Sequence, residues 1–253
     1  MTSHATSTSR PADLPPGIRI GTSGWHYGSW RGVFYPPKVK TADQLAYYAT
    51  RFGTAEINNS FYRLPTDKAL RTWRDTVPDG FCFAWKASRY ITHFKRLKDC
   101  EDSVRLIFER MKLLERNLGP ALFQLPPQFH ADADRLAGFL ARLPPHPRRA
   151  VEFRHASWYD PAVFRVLAEH NAALCISDHA AAPAPWETTA DFVYLRGHGP
   201  GGLYKGAYSD TTLGDWAARI RDWRRDGREV YVYFDNDQKS QAPKDAEKLI
   251  ALI

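Results

Sequence analysis

Short apolar runs alternate with amphipathic helical patterns from Ile18 to the end of the chain. Each run is continuous and apolar, which is typical of a strand covered on both faces of a sheet. The predicted strands span residues 18–21, 54–57, 81–86, 121–124, 150–153, 173–176, 192–196 and 230–234. Eight strands that alternate with helices predict a parallel sheet.

Apolar residues repeat at helical spacing between these strands. Helices are predicted over residues 66–76, 132–143, 160–170 and 244–253, in addition to one over 103–117. We expect Gly119 to end the helix predicted over 103–117, because glycine is favoured just past a helix C-terminus. The sixth crossover is predicted to be irregular, since Pro183 and Pro185 block a helix after the sixth strand.

The chain length favours closure of the sheet into a single TIM-type (β/α) barrel over an open sheet. The chain has 253 residues, and one barrel of this class takes about 250. The barrel domain is predicted over residues 18–253, without a further domain boundary. Residues 1–17 are rich in Ser, Thr and Pro and lack an apolar stretch, so they predict a disordered tail rather than a secretory signal.

The composition, with 43% hydrophobic and 25% charged residues, is that of a soluble globular protein. No apolar run approaches the roughly 20 residues of a membrane span, so no membrane partner is expected. The three cysteines are far apart and odd in number, which argues against a disulfide framework and indicates a reducing, cytoplasmic location. The net charge of +7 favours anionic partners.

Polar side chains follow every predicted strand at its C-terminal end. In (β/α) barrels the catalytic groups come from these strand ends and from the loops that follow them. Candidate residues at these ends are Trp25, Asn58, Lys86, Gln124, Trp158, Asp178, His198 and Asn236.

The alternation of side chains along a strand predicts which of these groups point toward the barrel axis. In the fifth strand, Glu152 and Arg154 share one face, whereas Val151 and Phe153 share the other. By the same count the inward residues of other strands are Glu56, Asn58, Lys86 and Arg196. Two interpretations remain open. The carboxylates of Glu56, Glu152 and Asp178 neutralise the cations in a purely structural network, or the pairs also orient a ligand.

Seven motifs in order along the chain resemble those of the YecE-like family, domain of unknown function 72. They are GTSGW (21–25), EINNSFY (56–62), FAWK (83–86), QLPP (124–127), EFR (152–154), YLRGHG (194–199) and YFDND (233–237). The resemblance implies a TIM-barrel-type fold and no assigned reaction. It also implies that the family's motifs converge at Glu56, Asn58, Lys86, Gln124, Glu152, Arg154, Arg196 and Asn236. Asp235 stands where the resemblance leads us to expect asparagine.

The leading functional hypothesis is an enzyme that acts on an anionic small molecule carrying a phosphate or carboxylate group. Arg154 and Arg196 suit recognition of such a group by paired hydrogen bonds. Lys86 and Glu152 are the candidates for proton transfer, and Glu56 and Asp178 are further catalytic candidates.

Two alternatives stay open. Basic charge together with Trp25, Tyr27, Trp30, Tyr62 and Trp158 suits a nucleic-acid-binding or nucleic-acid-processing barrel. Carboxylates and histidines at the strand ends suit a metal-dependent hydrolase or isomerase, and a divalent metal is the cofactor this alternative requires. The chain carries no HxH or HExxH spacing and no cofactor motif, so no residue is assigned as a metal ligand.

Overall fold

The computed structural model describes residues 14–253, which form a nearly closed barrel of eight parallel strands. The strands pair in the order β1-β8-β7-β6-β5-β4-β3-β2. They are β1 (Ile18–Thr22), β2 (Thr54–Ile57), β3 (Cys82–Lys86), β4 (Leu118–Gln124), β5 (Arg149–Glu152), β6 (Ala172–Ser177), β7 (Phe192–Gly197) and β8 (Glu229–Phe234). This confirms the predicted TIM-type α/β barrel.

The helices lie between the strands and after the last one, and they cover the outside of the barrel. They are α1 (Gln44–Ala49), α2 (Asp67–Thr76), α3 (Glu101–Met111), α4 (Ala133–Ala141), α5 (Pro161–Glu169), α6 (Asp210–Arg225) and α7 (Gln241–Ala251). The segment between β6 and β7 contains turns and no helix, as the prolines of this crossover predict.

The prediction for Gly119 is wrong. Helix α3 ends at Met111, a 3-10 segment follows over Lys112–Asn117, and Gly119 lies inside β4. A Cβ at position 119 would lie 2.5 Å from Cys82 Sγ and 2.7 Å from the Phe83 carbonyl oxygen. Glycine is therefore required by the close approach of β4 to β3 and not by a helix terminus.

Two apolar clusters divide the barrel wall according to side-chain alternation. The outer cluster packs the strands against the helices, and the inner cluster consists of Cys82, Ala84, Leu122, Ala150, Ala173, Cys175, Phe192, Tyr194, Tyr231 and Tyr233. Two residues further along each of these strands, with the same parity, stand Lys86, Gln124, Glu152, Ser177, Arg196 and Asp235. The same alternation that fills the barrel interior therefore delivers the polar groups at its C-terminal end.

A tyrosine side chain completes the seam between β1 and β2. Backbone pairing at this seam is limited to an isolated bridge between Ser23 and Glu56. The Tyr48 hydroxyl accepts a hydrogen bond from the Thr22 amide at 2.9 Å and donates one to the Thr54 carbonyl at 3.0 Å. Tyr48 on α1 thus supplies, across the seam, the partners that a continuous ladder of backbone hydrogen bonds would supply.

The predicted disordered tail falls largely on residues 1–13, which lie outside the described residues. Leu14 packs against the outer cluster, and the Pro15 carbonyl accepts a hydrogen bond from the Ile18 amide at 3.1 Å. The three cysteines, Cys82, Cys100 and Cys175, are buried and free. Over residues 14–253, no helix combines the length and the apolar character needed to cross a membrane.

Candidate functional site

Arg196 occupies the centre of the C-terminal end of the barrel. Its Nη1 lies 2.9 Å from Glu152, and its Nη2 lies 2.9 Å from Glu56 and 2.8 Å from Asp235. The arginine and both glutamates are 0% exposed. Three carboxylates from β2, β5 and the end of β8 therefore surround one guanidinium group, which leaves neither Nη free to bind a ligand.

Glu152 joins this buried group to the mouth of the barrel. Its Oε1 lies 2.5 Å from Arg154 Nη2, and its Oε2 accepts a hydrogen bond from Gln124 Nε2 at 3.0 Å. Arg154 is 7% exposed, and its Nη1 donates to the hydroxyl of Tyr204 at 3.1 Å. Glu152 thus fixes the orientation of Arg154, whose side chain reaches the edge of the solvent-facing mouth.

The two buried glutamates are ionised because of the neighbouring cations. Burial opposes the ionisation of Glu152, but Arg154 and Arg196 outweigh it and hold its pKa well below the usual range. Burial likewise opposes the ionisation of Glu56, whose pKa is lowered by Arg196 and Lys86. Each oxygen of both carboxylates already accepts a hydrogen bond or forms an ion pair. The two glutamates are therefore suited to positioning the arginines.

His198 is held in one tautomer by the same arginines. Its Nε2 lies 2.9 Å from Arg196 Nη1 and 3.2 Å from Arg154 Nη2, and guanidinium groups can only donate. Nε2 is therefore the acceptor, and the ring hydrogen is on Nδ1, which faces Asp178 at 3.3 Å. Asp178 also accepts from the His198 amide at 2.6 Å and from the Tyr208 hydroxyl. Asp178 supports His198 and forms no ion pair with either arginine, which differs from the expected network.

Lys86 is the exception in this cluster. Its side chain is almost completely buried, yet within residues 14–253 no carboxylate lies within 4 Å of its Nζ. The ammonium group lies 3.4 Å from Gln124 Oε1 and 4.5 Å from the ring centroid of Phe61. Burial lowers the pKa of Lys86, and the charge of Arg196 lowers it further, against the opposing effect of Glu56 and Glu152.

The remaining predicted residues lie around this cluster rather than in it. Trp158 is fully buried, donates to the Phe129 carbonyl at 2.5 Å and stacks on Phe153, so its indole belongs to the packing of the loops. Asn236 is also fully buried and donates to Asp245 at 2.6 Å.

Trp25 and Asn58 line a separate cavity of about 150 Å³ beside the mouth. Trp25 is 5% exposed and packs edge to face on Trp73. Among the described residues, the Trp25 Nε1 and Asn58 Oδ1 atoms are buried without a hydrogen-bond partner.

Several site residues were missed by the sequence analysis. Ser23 donates to Glu56 at 2.5 Å, Tyr194 donates to Glu56 at 2.6 Å, and Asp235 pairs with Arg196. Side-chain alternation could have predicted that Tyr194 points into the barrel, because it stands two residues before Arg196 on the same face of β7. Asp235, where the family resemblance suggested asparagine, is the third carboxylate of the network. No group of three or more His, Cys, Asp or Glu residues in the described part of the chain is arranged to hold a metal ion.

The family model described as "Protein of unknown function DUF72" matches residues 19–253 of this chain. The chain belongs to the DUF72 family. Among curated relatives, UPF0759 protein YunF of Bacillus subtilis is 25% identical over 93% of this chain and 94% of its own. UPF0759 protein YecE of Escherichia coli is 30% identical over 56% of this chain and 50% of its own.

Solved DUF72 structures share this barrel. A DUF72 family protein from Thermotoga maritima superposes with a TM-score of 0.84 at 26% identity, covering 93% of this chain and 98% of the other. A DUF72 family protein from Enterococcus faecalis gives a TM-score of 0.78 at 19% identity, covering 93% and 94%. These likenesses support the fold of this DUF72 chain and assign it no reaction.

Proposed function

We propose that this DUF72 protein is an enzyme that binds an anionic small molecule at the mouth of the barrel and transfers a proton through Lys86. The observation that carries the proposal is the environment of Lys86 Nζ, a buried ammonium group with no carboxylate within 4 Å among the described residues. A buried, unpaired lysine reduces stability, and such groups concentrate at functional sites.

The lowered pKa of Lys86 suits proton transfer. A lysine with an ordinary pKa is almost fully protonated at neutral pH and is a poor base. Burial and the charge of Arg196 both lower the pKa of Lys86, so its ammonium group gives up a proton more readily than that of an exposed lysine. Because Lys86 ends β3, its ammonium group lies at the end of the barrel where such enzymes place their reacting groups.

Arg154 is the residue best suited to hold the anionic group of the substrate. Both Nη groups of Arg196 contact buried carboxylates, whereas among the described residues Arg154 Nη1 contacts only the hydroxyl of Tyr204 at the mouth, at 3.1 Å. Glu152 and His198 hold the guanidinium group in place before a ligand arrives, which reduces the entropy lost on binding. Glu56, Glu152 and Asp178 then act as positioning residues.

The test begins with binding. We expect inorganic phosphate, added at fixed ionic strength, to raise the melting temperature of the wild type but not that of Arg154→Met. Phosphate at ten times its Kd stabilises the folded state by about 1.4 kcal/mol, which corresponds to roughly 3–5 °C for a chain of this size. Arg105→Met is the matched control, since Arg105 is exposed on α3 and pairs only with Asp102 among the described residues.

The second step separates binding from chemistry. Phosphate- and carboxylate-bearing metabolites that stabilise the wild type are assayed for conversion by the wild type and by Lys86→Met. We expect Lys86→Met to retain binding within about tenfold and to lose turnover by roughly 100-fold or more, the usual contribution of a proton-transfer group. Equal phosphate shifts in wild type and Arg154→Met, or equal turnover in wild type and Lys86→Met, contradict the proposal.

A further inference from the structure

The segment that follows β3 is strongly basic and free of acidic residues. Between positions 86 and 98 it carries Lys86, Arg89, Lys95, Arg96 and Lys98 and no aspartate or glutamate. In the described part of the chain, none of these five residues forms an ion pair within 4 Å. Uncompensated positive charge beside a functional site attracts anionic ligands.

Exposed aromatic rings accompany this charge. Tyr62 is 65% exposed, Phe94 is 67% exposed and Tyr90 is 46% exposed. The Arg89 guanidinium carbon lies 5.6 Å from the ring centroid of Tyr62 and 5.5 Å from that of Phe94. The Lys95 ammonium lies 5.9 Å from the Tyr90 ring. We call Tyr62, Arg89, Tyr90, Phe94 and Lys95 the β3 rim.

The β3 rim is continuous with Lys86. The Phe61 ring lies 4.5 Å below the Lys86 ammonium and 5.0 Å from each of the rings of Tyr62 and His93. Burial lowers the pKa of His93 to about 4, and Lys86, Arg154 and Arg89 lower it in the same direction. The Phe61 ring therefore connects the Lys86 ammonium group to the Tyr62 ring of the rim.

The backbone holds the rim in a defined conformation. Tyr90–Phe94 form a single π-helical turn, a geometry that is frequent at functional sites. The turn is anchored by the buried Leu97, whose amide donates to the Ile91 carbonyl at 3.0 Å. Arg96 and Leu97 adopt φ angles of 47° and 67°, a left-handed conformation that costs non-glycine residues free energy.

We propose that the β3 rim stacks the base of a nucleotide whose phosphate lies against Arg154 and Lys86. The inference rests on the proposed function, because it names the substrate class of the same site. Exposed aromatic rings and arginine planes stack on any nucleobase, and the neighbouring cations bind the phosphate. Arg89 lies within 6 Å of the Tyr62 and Phe94 ring centroids, so the rim offers a stacking surface for one base beside one anion site, which fits a mononucleotide.

The experiment compares dAMP with inorganic phosphate by titration calorimetry. We expect dAMP to bind wild type at least tenfold more tightly than phosphate. In the double variant Tyr62→Leu/Phe94→Leu we expect about a tenfold loss of dAMP affinity and no change for phosphate. Both rings are exposed, so the variant is expected to fold. Trp186→Leu is the matched control, because Trp186 is 40% exposed and lies 4.5 Å from Arg219 in an aromatic–arginine pair against α6.

The possible results separate the two proposals. Phosphate binding with no tighter binding of dAMP overturns the rim inference and leaves the proposed function standing. Binding of dAMP that is lost in the rim variant but unchanged in Arg154→Met supports the rim and overturns the proposed anion site. Binding of the oligonucleotide (dA)8 more than about 100-fold tighter than dAMP, with a steep salt dependence, overturns the mononucleotide assignment in favour of a single strand.

Discussion

Arg196 Nη2 lies 2.9 Å from Glu56 Oε1, and both side chains are 0% exposed. This pair joins β7 to β2 across the interior of the barrel, and Glu152 and Asp235 complete the surroundings of the guanidinium group. Arg196 therefore has a structural role, because it connects these strands through its ion pairs. The arginine that remains available at the mouth is Arg154, two residues beyond the glutamate that both arginines share.

The first prediction follows from this burial. Arg196→Met leaves Glu56 and Asp235 in a buried site without their paired cation, so we expect a loss of about 3–5 kcal/mol in the free energy of unfolding. Urea denaturation measures it. Arg105→Met, which breaks an exposed ion pair with Asp102, is expected to cost less than about 1 kcal/mol. A loss for Arg196→Met no larger than that of the control contradicts the structural role.

Lys86→Met is predicted to change the free energy of unfolding in the opposite direction from Arg196→Met. Because burial disfavours the lysine cation in the folded state, removing it raises the free energy of unfolding at pH 7, by about 1 kcal/mol. The folded pKa lies below the unfolded value, so the unfolded state binds more protons between the two. The wild type therefore gains stability as pH rises toward 10, and the advantage of the variant shrinks. Denaturation midpoints of both proteins at pH 7 and pH 9.5 measure this, with the exposed Lys112→Met as control. A constant difference between the two pH values argues against a lowered pKa.

Asp237 provides a second pH-dependent test. Burial raises its pKa to about 7, and the Trp30 indole donates to its Oδ1 at 2.7 Å. The folded state therefore holds a proton that the unfolded state releases between pH 4 and 7, and stability falls as pH rises through this window. Asp237→Asn keeps the acceptor without the charge. We expect it to match wild type near pH 4 and to exceed its stability by about 1 kcal/mol at pH 8, after allowance for partial exposure.

Thermal unfolding of wild type and Asp237→Asn at the two pH values distinguishes these outcomes. Asp222→Asn serves as the control, since Asp222 is exposed on α6 and pairs with Arg225. If the difference in stability between wild type and Asp237→Asn is the same at both pH values, the pKa of Asp237 is not raised in the folded state.

The seam between β1 and β2 gives the last prediction. Tyr48→Phe leaves the Thr22 amide and the Thr54 carbonyl without their bridging hydroxyl in a buried position. Unsatisfied buried groups of this kind cost about 1–3 kcal/mol, and amide hydrogen exchange of Thr22 should accelerate. Tyr47→Phe is a matched control on the same helix, because within the described residues the Tyr47 hydroxyl makes no hydrogen bond. Unchanged exchange at Thr22 in Tyr48→Phe shows that the hydroxyl does not hold the seam.

Alternation along the chain was sufficient to predict a parallel sheet and the parity of its charged residues, and the chain length favoured closure of that sheet into a barrel. Strand periodicity is a local property, so Glu152 and Arg154 could be assigned to one face from the sequence alone. The prediction that Gly119 ends a helix failed because the requirement for glycine at this position does not come from the neighbouring sequence. The glycine is required by the backbone of β3, which approaches β4 only in the folded barrel.

The sequence by itself determined which residues reach the C-terminal end of the barrel, and the tertiary structure decided how they pair. Arg154 and Arg196 are alike in type and parity, and no local pattern distinguishes them. Glu56, Glu152 and Asp235 lie in, or directly after, three strands that are distant along the chain, and together they surround Arg196. Lys86 receives no such partner. Ion pairing and desolvation depend on distances across the closed barrel, which the order of residues along one strand does not encode.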